Sequence, residues 1–382
     1  MAVYSIVAVT TTWGAPLLGG VASQGPTGAG LQSTILSAFF VVAVPAVALG
    51  VPETAFDRGF TIAQTPATAT SQLKTSLPLA PRRIFSLETF IDYVVKLKPY
   101  GYSGPADLAI LLQAPRALIT PTTVLLAIVS LLPYSSLWGL TASLSLLFRP
   151  LPFILSPGTI GALFTAPFLL GTLAVALPAL TPNWQTKFAP RTHMLALAIG
   201  TTLAFIGILT FGLHLDAAMT PPSADQTDTA KDITPETTTI YALEYLGPRV
   251  NLPAMSFVLG LLAAGAALLD ATASPLIRAS TSFTGSNFAV ATRNTADMTA
   301  AVACWRALIA GVFVVGVPNV VWYWDGLRGF CIGVAIASVV VGAVVGMVWW
   351  LWGEGIRRWD GRVMGLVDLE GLKRTGSFFD LD

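Results

Sequence analysis

The chain has 382 residues, of which 54% are hydrophobic and 11% charged, with a formal net charge of +1. A soluble domain carries about 25% charged residues, so this chain cannot cover itself with a polar surface, and a near-zero net charge offers no field for nucleic acid. The two cysteines, Cys304 and Cys331, both sit in apolar stretches and support neither a disulfide framework nor a thiolate metal cluster.

The apolar residues arrive in blocks of roughly 20, the length that crosses ~30 Å of hydrocarbon as a helix. Windows of that size predict spans at Ala2 to Ala22, Leu31 to Val51, Ala117 to Leu147, Thr159 to Leu180, Thr192 to Leu213, Leu252 to Ile277, Met298 to Val320 and Gly329 to Trp352. The stretches Val41 to Leu49 and Val339 to Trp350 are apolar on every face, whereas barrel strands alternate apolar and polar positions. The predicted fold class is therefore all-α, a polytopic membrane helix bundle of about eight transmembrane helices.

Four regions follow. Residues 1–51 hold two spans, residues 52–116 a long connection, residues 117–353 six spans and residues 354–382 a tail. The first block starts at the initiator methionine with no basic residue before Arg58, so a cleaved signal peptide, which begins with Lys or Arg, is not expected. Within the connection, Thr61 to Pro81 is rich in Thr, Ala, Ser and Pro and reads as a hinge. Ile84 to Lys96 has the spacing of an amphipathic interfacial helix. Asp216 to Asn251, rich in Thr, Pro and Asp, reads as a solvated external loop.

Short loops rich in Lys and Arg remain cytoplasmic. One set of alternate connections holds Arg58, Lys74, Arg82, Arg83, Lys96, Lys98, Arg116, Lys187, Arg191, Arg278, Arg293, Arg357, Arg358, Arg362, Lys373 and Arg374. The opposite set holds Arg149, Lys231, Arg249 and Arg328, about a fourfold difference, which predicts both termini in the cytoplasm. Trp322, Tyr323 and Trp324 at one end, and Trp349, Trp350, Trp352 and Trp359 at the other, suit interfacial aromatic belts.

A charge at the centre of a membrane helix costs roughly 2.5 to 3.5 kcal/mol on insertion scales, so intramembrane charges are the first functional candidates. Asp270, late in an inward-running span, and Arg306, early in the next outward one, fall at similar depth. They either pair across adjacent helices or snorkel separately to the inner interface. Trp305 beside Arg306 is a candidate pathway aromatic, with lipid or helix packing as its plainer role. Gln32 and Asn319, like Asn251, lie at external span ends, and His193 and His214 flank the fifth span. No His-Glu-x-x-His, Gly-x-Ser-x-Gly or Gly-x-x-x-x-Gly-Lys pattern occurs, so enzymatic chemistry is not expected, and neither is a cofactor or a metal site.

Pro52, Glu53, Thr54, Asp57 and Arg58 close the second span. They resemble the Pro-Glu-Thr-x-x-Asp-Arg signature that ends the sixth span of many fungal major facilitator superfamily transporters. Gly14, Pro16, Gly19 and Gly20 in the first span resemble the Gly-Pro-x-x-Gly-Gly element of the fifth span in drug:proton antiporters of that superfamily. Here alanine precedes Pro16, and Thr11 stands where the family usually has glycine. The resemblance implies a major facilitator-like bundle, its eight spans matching spans five to twelve of a twelve-span fold with the first four lacking. It further implies alternating-access transport of a small-molecule substrate, coupled to protons if the antiporter likeness holds, with the plasma membrane as the usual location. The lipid bilayer is then the surrounding partner. A non-transporting scaffold or regulatory relic is the alternative that the short N-terminal portion raises.

Overall fold

The computed structural model describes residues 2–24, 28–50, 115–148, 155–180, 190–219, 251–284, 288–324 and 327–364. Every regular element among the described residues is helical. In chain order these are α1 (Ala2–Ala22), α2 (Gly28–Gly50), α3 (Pro121–Phe148), α4 (Pro157–Ala162), α5 (Thr165–Leu180), α6 (Pro190–Met219), α7 (Leu252–Thr284), α8 (Phe288–Trp324) and α9 (Leu327–Met364).

Seven segments are long and apolar enough to cross a membrane: Ser5–Ala22, Pro121–Phe148, Pro157–Leu180, Thr192–Ala217, Leu252–Ser282, Asn294–Val320 and Leu327–Met364. Each coincides with a predicted span. The remaining one falls on α2, whose described apolar stretch, Gly30–Val44, is shorter than a crossing requires. The chain is thus a helical integral membrane protein.

Two compact units divide it, one of Met1–Ala29 with Leu111–Leu366, the other of Gly30–Ile110 with Val367–Asp382. In the second unit the described part is the stretch of α2 from Gly30, whose Leu31, Ile35, Leu36, Phe39 and Phe40 are exposed apolar side chains. The connection at residues 52–116 lies outside the described residues up to Ala114, and so does the tail beyond Met364.

In the first unit, α7 packs mainly on α6 and α5, α8 on α3, α9 on α6 and α3, and α1 on α5 and α4. Close approach rests on small residues. A Cβ added to Gly20 of α1 would stand 2.6 Å from the Cα of Gly161 in α4, so only hydrogen fits there. A Cβ on Gly207 of α6 would likewise meet Leu262 backbone of α7 at 2.6 Å.

Helix ends have local causes. Pro121 opens α3 after Thr120, and proline suits a first turn because its missing N–H would have no helical partner there. Ser156 caps α4, accepting a hydrogen bond from Thr159 N–H. Between α4 and α5 the chain turns at Leu163 and Phe164, and Ser256 of α7 bridges that break. Its hydroxyl donates to the Leu163 carbonyl at 2.9 Å and accepts from Ala166 N–H at 3.2 Å. Helix α9 runs past the predicted end of the last span and has non-helical backbone angles at Trp352.

Two apolar clusters form the core. One gathers Trp13, Leu137, Leu140, Leu144, Phe164, Phe211, Leu259 and Cys331. The other holds Leu126, Val129, Leu276, Ile277, Met298, Val302, Val345, Trp349 and Met364. Along α3 and α8 a polar layer lies between these clusters: Ser130 separates Val129 from Leu137, and Arg306 separates Val302 from Val317.

Candidate functional site

The polar layer is built from α3, α7 and α8. Arg306 of α8 is buried, with a side chain 7% exposed, and forms a salt bridge through Nη1 to Oδ1 of Asp270 on α7. Its Nε donates to Ser130 Oγ of α3 at 2.7 Å. Ser130 can accept because its own proton goes to the Leu126 carbonyl one turn back, at 2.6 Å. The guanidinium carbon lies 5.9 Å from the centroid of Tyr134 on the same helix, within cation–π range. Arg306 Nη2 is buried and has no hydrogen-bond partner among the described residues.

Asp270 differs from its partner, because its side chain is 69% exposed. The pair is therefore enclosed on the arginine side and open on the carboxylate side.

An aromatic ladder continues from the pair towards α1. Tyr134 and Trp138 lie one turn apart on α3, with ring centroids 6.1 Å apart. Trp138 stacks on Trp13 of α1 at 5.8 Å, and Trp13 stacks on Phe164 at 6.1 Å. Ring edges and faces attract in such arrangements, adding about 0.5 to 1.5 kcal/mol per pair beyond area burial.

The other sequence-derived candidates do not join this layer. Trp305 is 38% exposed, and its indole Nε1 donates to the Leu118 carbonyl at 3.2 Å, tethering the helical turn that precedes α3. Asn319 is exposed and donates to its own helix at the Val315 carbonyl, 3.1 Å away. At 1.5 Å rise per residue it lies about 20 Å along α8 from Arg306. Gln32 is exposed on α2, in the second unit. His193, expected near an interface, is 1% exposed, while His214 lies half-buried.

Among the resemblance motifs, Gly20 contacts Gly161, and a Cβ on Gly161 would stand 3.2 Å from the Pro16 carbonyl. A Cβ on Gly14 would meet the Phe168 ring at 3.5 Å, and the Gly19 carbonyl accepts from Ser23 N–H at 3.0 Å. These glycines and Pro16 serve the packing of α1 against α4 and α5. Pro52, Glu53, Thr54, Asp57 and Arg58 lie outside the described residues.

A second carboxylate, this one buried and not among the sequence candidates, stands at the basic end of the bundle. Asp360, in the last turns of α9, is 2% exposed. Its Oδ1 accepts from Thr122 N–H at 2.9 Å, and its Oδ2 accepts from the hydroxyls of Thr122 and Ser280. A carboxylate at the first turn of α3 also meets the positive end of that helix's dipole. One side chain therefore ties α3, α7 and α9 together. The signal in the sequence is a stripe one face wide, with Ile356, Asp360 and Met364 at steps of four.

Along α3 the distance from Thr122 to Ser130 is about 12 Å, and along α7 from Ser280 to Asp270 about 15 Å. The Arg306 layer is thus separated from the Asp360 layer by about two-fifths to one-half of the ~30 Å thickness of a hydrocarbon core. No protein-family model, curated protein or solved structure matches this chain.

Proposed function

We propose that the protein moves a small solute across the membrane by alternating access, in the manner of the major facilitator superfamily, with Asp270 and Arg306 lining the route. The observation that carries this reading is the 69% exposure of a carboxylate within an apolar helix long enough to span. A charge facing hydrocarbon costs up to roughly 2.5 to 3.5 kcal/mol, which favours water rather than lipid against the face bearing Asp270. Arg306 lies enclosed behind that face, where it holds Asp270 and is itself anchored by Ser130 and Tyr134.

The chemistry follows from the asymmetry. Asp270 is reachable from solution, so a proton or a cationic group of the solute competes with Arg306 for it. Once Asp270 is neutralised or occupied, the contact joining α7 to α8 weakens while Arg306 stays tied to α3. Such a contact couples solute or proton binding to a rearrangement of helices. The basic end, with Arg116, Arg278, Arg357, Arg358 and Arg362, faces the cytoplasm on this reading, and the plasma membrane is the location the superfamily likeness favours.

Reconstitution of the full chain into liposomes tests it. Uptake of a panel of small cationic, anionic and neutral solutes, with and without a pH gradient, is compared with protein-free vesicles. At least one solute is expected to enter faster with protein, and Asp270→Asn lowers that flux about tenfold, the kinetic equivalent of ~1.4 kcal/mol. Unchanged flux in both Asp270→Asn and Arg306→Gln, at equal protein amounts, removes the pair from the route. Flux no greater than in empty vesicles for every solute favours a scaffold.

A further inference from the structure

We infer that the end of α9 beyond Trp352 forms a binding site for anionic phospholipid headgroups at the basic face of the membrane. This site is independent of solute movement.

Length places the segment. Helix α9 has 38 residues, about 57 Å at 1.5 Å per residue, whereas hydrocarbon is ~30 Å thick. From Leu327, the helix leaves hydrocarbon near the tryptophans, and its backbone departs from helical angles at Trp352. Trp350 and Trp352 are 82% and 62% exposed there, the position of an interfacial belt.

Beyond the kink the helix is two-faced, and its rotation is fixed. Ile356, Asp360, Gly361 and Met364 are buried against the bundle, and Asp360 holds that face through Thr122 and Ser280. The opposite face therefore has to present Glu354, Arg358, Trp359 and Arg362, all exposed. Arg358 and Arg362 are one turn apart and share a face. Trp359 beside them is 58% exposed, and the Arg362 guanidinium lies 5.4 Å from its ring centroid.

That pattern has a chemical match. Two guanidiniums at one-turn spacing suit phosphate oxygens, which they grip through paired N–H donors. An exposed indole at the same level suits the boundary between headgroup and acyl chain. Arg116, also exposed, precedes Ala117, which belongs to the apolar cluster that holds Met364. A free phosphate would satisfy the guanidiniums but leave the indole surfaces of Trp350, Trp352 and Trp359 in water. A lipid satisfies both.

The test uses the full chain in nanodiscs of phosphatidylcholine, of phosphatidylcholine with one-third phosphatidylserine, and of phosphatidylcholine with inorganic phosphate in the buffer. The readout is the thermal unfolding midpoint. Phosphatidylserine is expected to raise it by about 3 to 5 °C, as a ligand that binds the folded state does. The rise shrinks in high salt, because exposed charges are screened. Arg358→Gln with Arg362→Gln removes at least half of the rise and leaves the midpoint in pure phosphatidylcholine unchanged, since both side chains are exposed. The double lysine variant keeps the charge without the forked donors and is expected to restore only part of the rise. A rise equally large in the double glutamine variant overturns the inference. So does an equal effect of inorganic phosphate alone, which would mark a soluble-anion site, or the lack of any rise with phosphatidylserine.

Discussion

Asp270 and Asp360 sit on neighbouring apolar helices, yet their surroundings differ in kind. Asp270 meets a cation and stays 69% exposed, whereas Asp360 meets three neutral donors and is 2% exposed. An ion pair open on one side can be broken by anything that reaches the carboxylate from solution, and water then replaces the lost partner. An enclosed carboxylate has no such substitute: removing it strands buried donors, and each stranded donor costs about 1 to 3 kcal/mol. The first arrangement suits a contact that has to be made and unmade, the second one that has to persist.

Replacing the enclosed carboxylate breaks the comparison most directly. Asp360→Ala is expected to lower unfolding stability by about 2 to 4 kcal/mol, because Thr122 and Ser280 lose their acceptor in a buried place. Denaturant unfolding in detergent measures it, and a loss below that of Asp270→Ala would reverse the assignment of roles.

A smaller effect belongs to the open pair. A double-mutant cycle between Asp270→Asn and Arg306→Gln should return a coupling of about 1 to 2 kcal/mol, since the exposed carboxylate is partly screened. A coupling near zero would mean that the two side chains share a location without sharing energy.

The least effect is expected at the opposite end, where Arg328 and Asp216 form an ion pair at 3.3 Å with side chains 59% and 34% exposed. Arg328→Gln should change stability by no more than about 0.5 kcal/mol, with no dependence on salt in the variant. A larger change would show that burial of the cation, 7% exposed in Arg306 against 59% in Arg328, does not rank the two ion pairs.

Much of the helical layout is legible in the sequence because span length and apolar composition are local properties. The common depth of Asp270 and Arg306 is legible too, since it requires only counting along two consecutive antiparallel helices. Their partners are not. Ser130 lies 176 residues before Arg306, and nothing in a Ser-containing apolar helix marks which hydroxyl will meet a guanidinium. The steps of four from Ser130 through Tyr134 to Trp138 offer the one clue, a polar and aromatic stripe on an otherwise apolar helix.

Asp360 was hidden for another reason. Residues after the tryptophan-rich end of the last span read as a solvated tail by composition, with Arg357, Arg358 and Arg362 around the aspartate. The helix instead continues to Met364, and burial of Ile356 and Met364 carries Asp360 inward with them. Trp305 shows that adjacency in sequence does not give two residues a common partner. It is adjacent to Arg306 in sequence, but a step of about 100° around the helix aims it at Leu118 instead.

The Thr122–Asp360 bond joins residues 238 positions apart, and that separation sets an order of events during synthesis. At about 5 to 20 residues per second, α3 leaves the ribosome on the order of tens of seconds before its carboxylate exists. Through that interval the first turn of α3 carries an unmet amide at the edge of the lipid. Biogenesis of the basic end is therefore finished by the last helix made, and stalling of translation within α9 should leave a bundle inserted but unlatched.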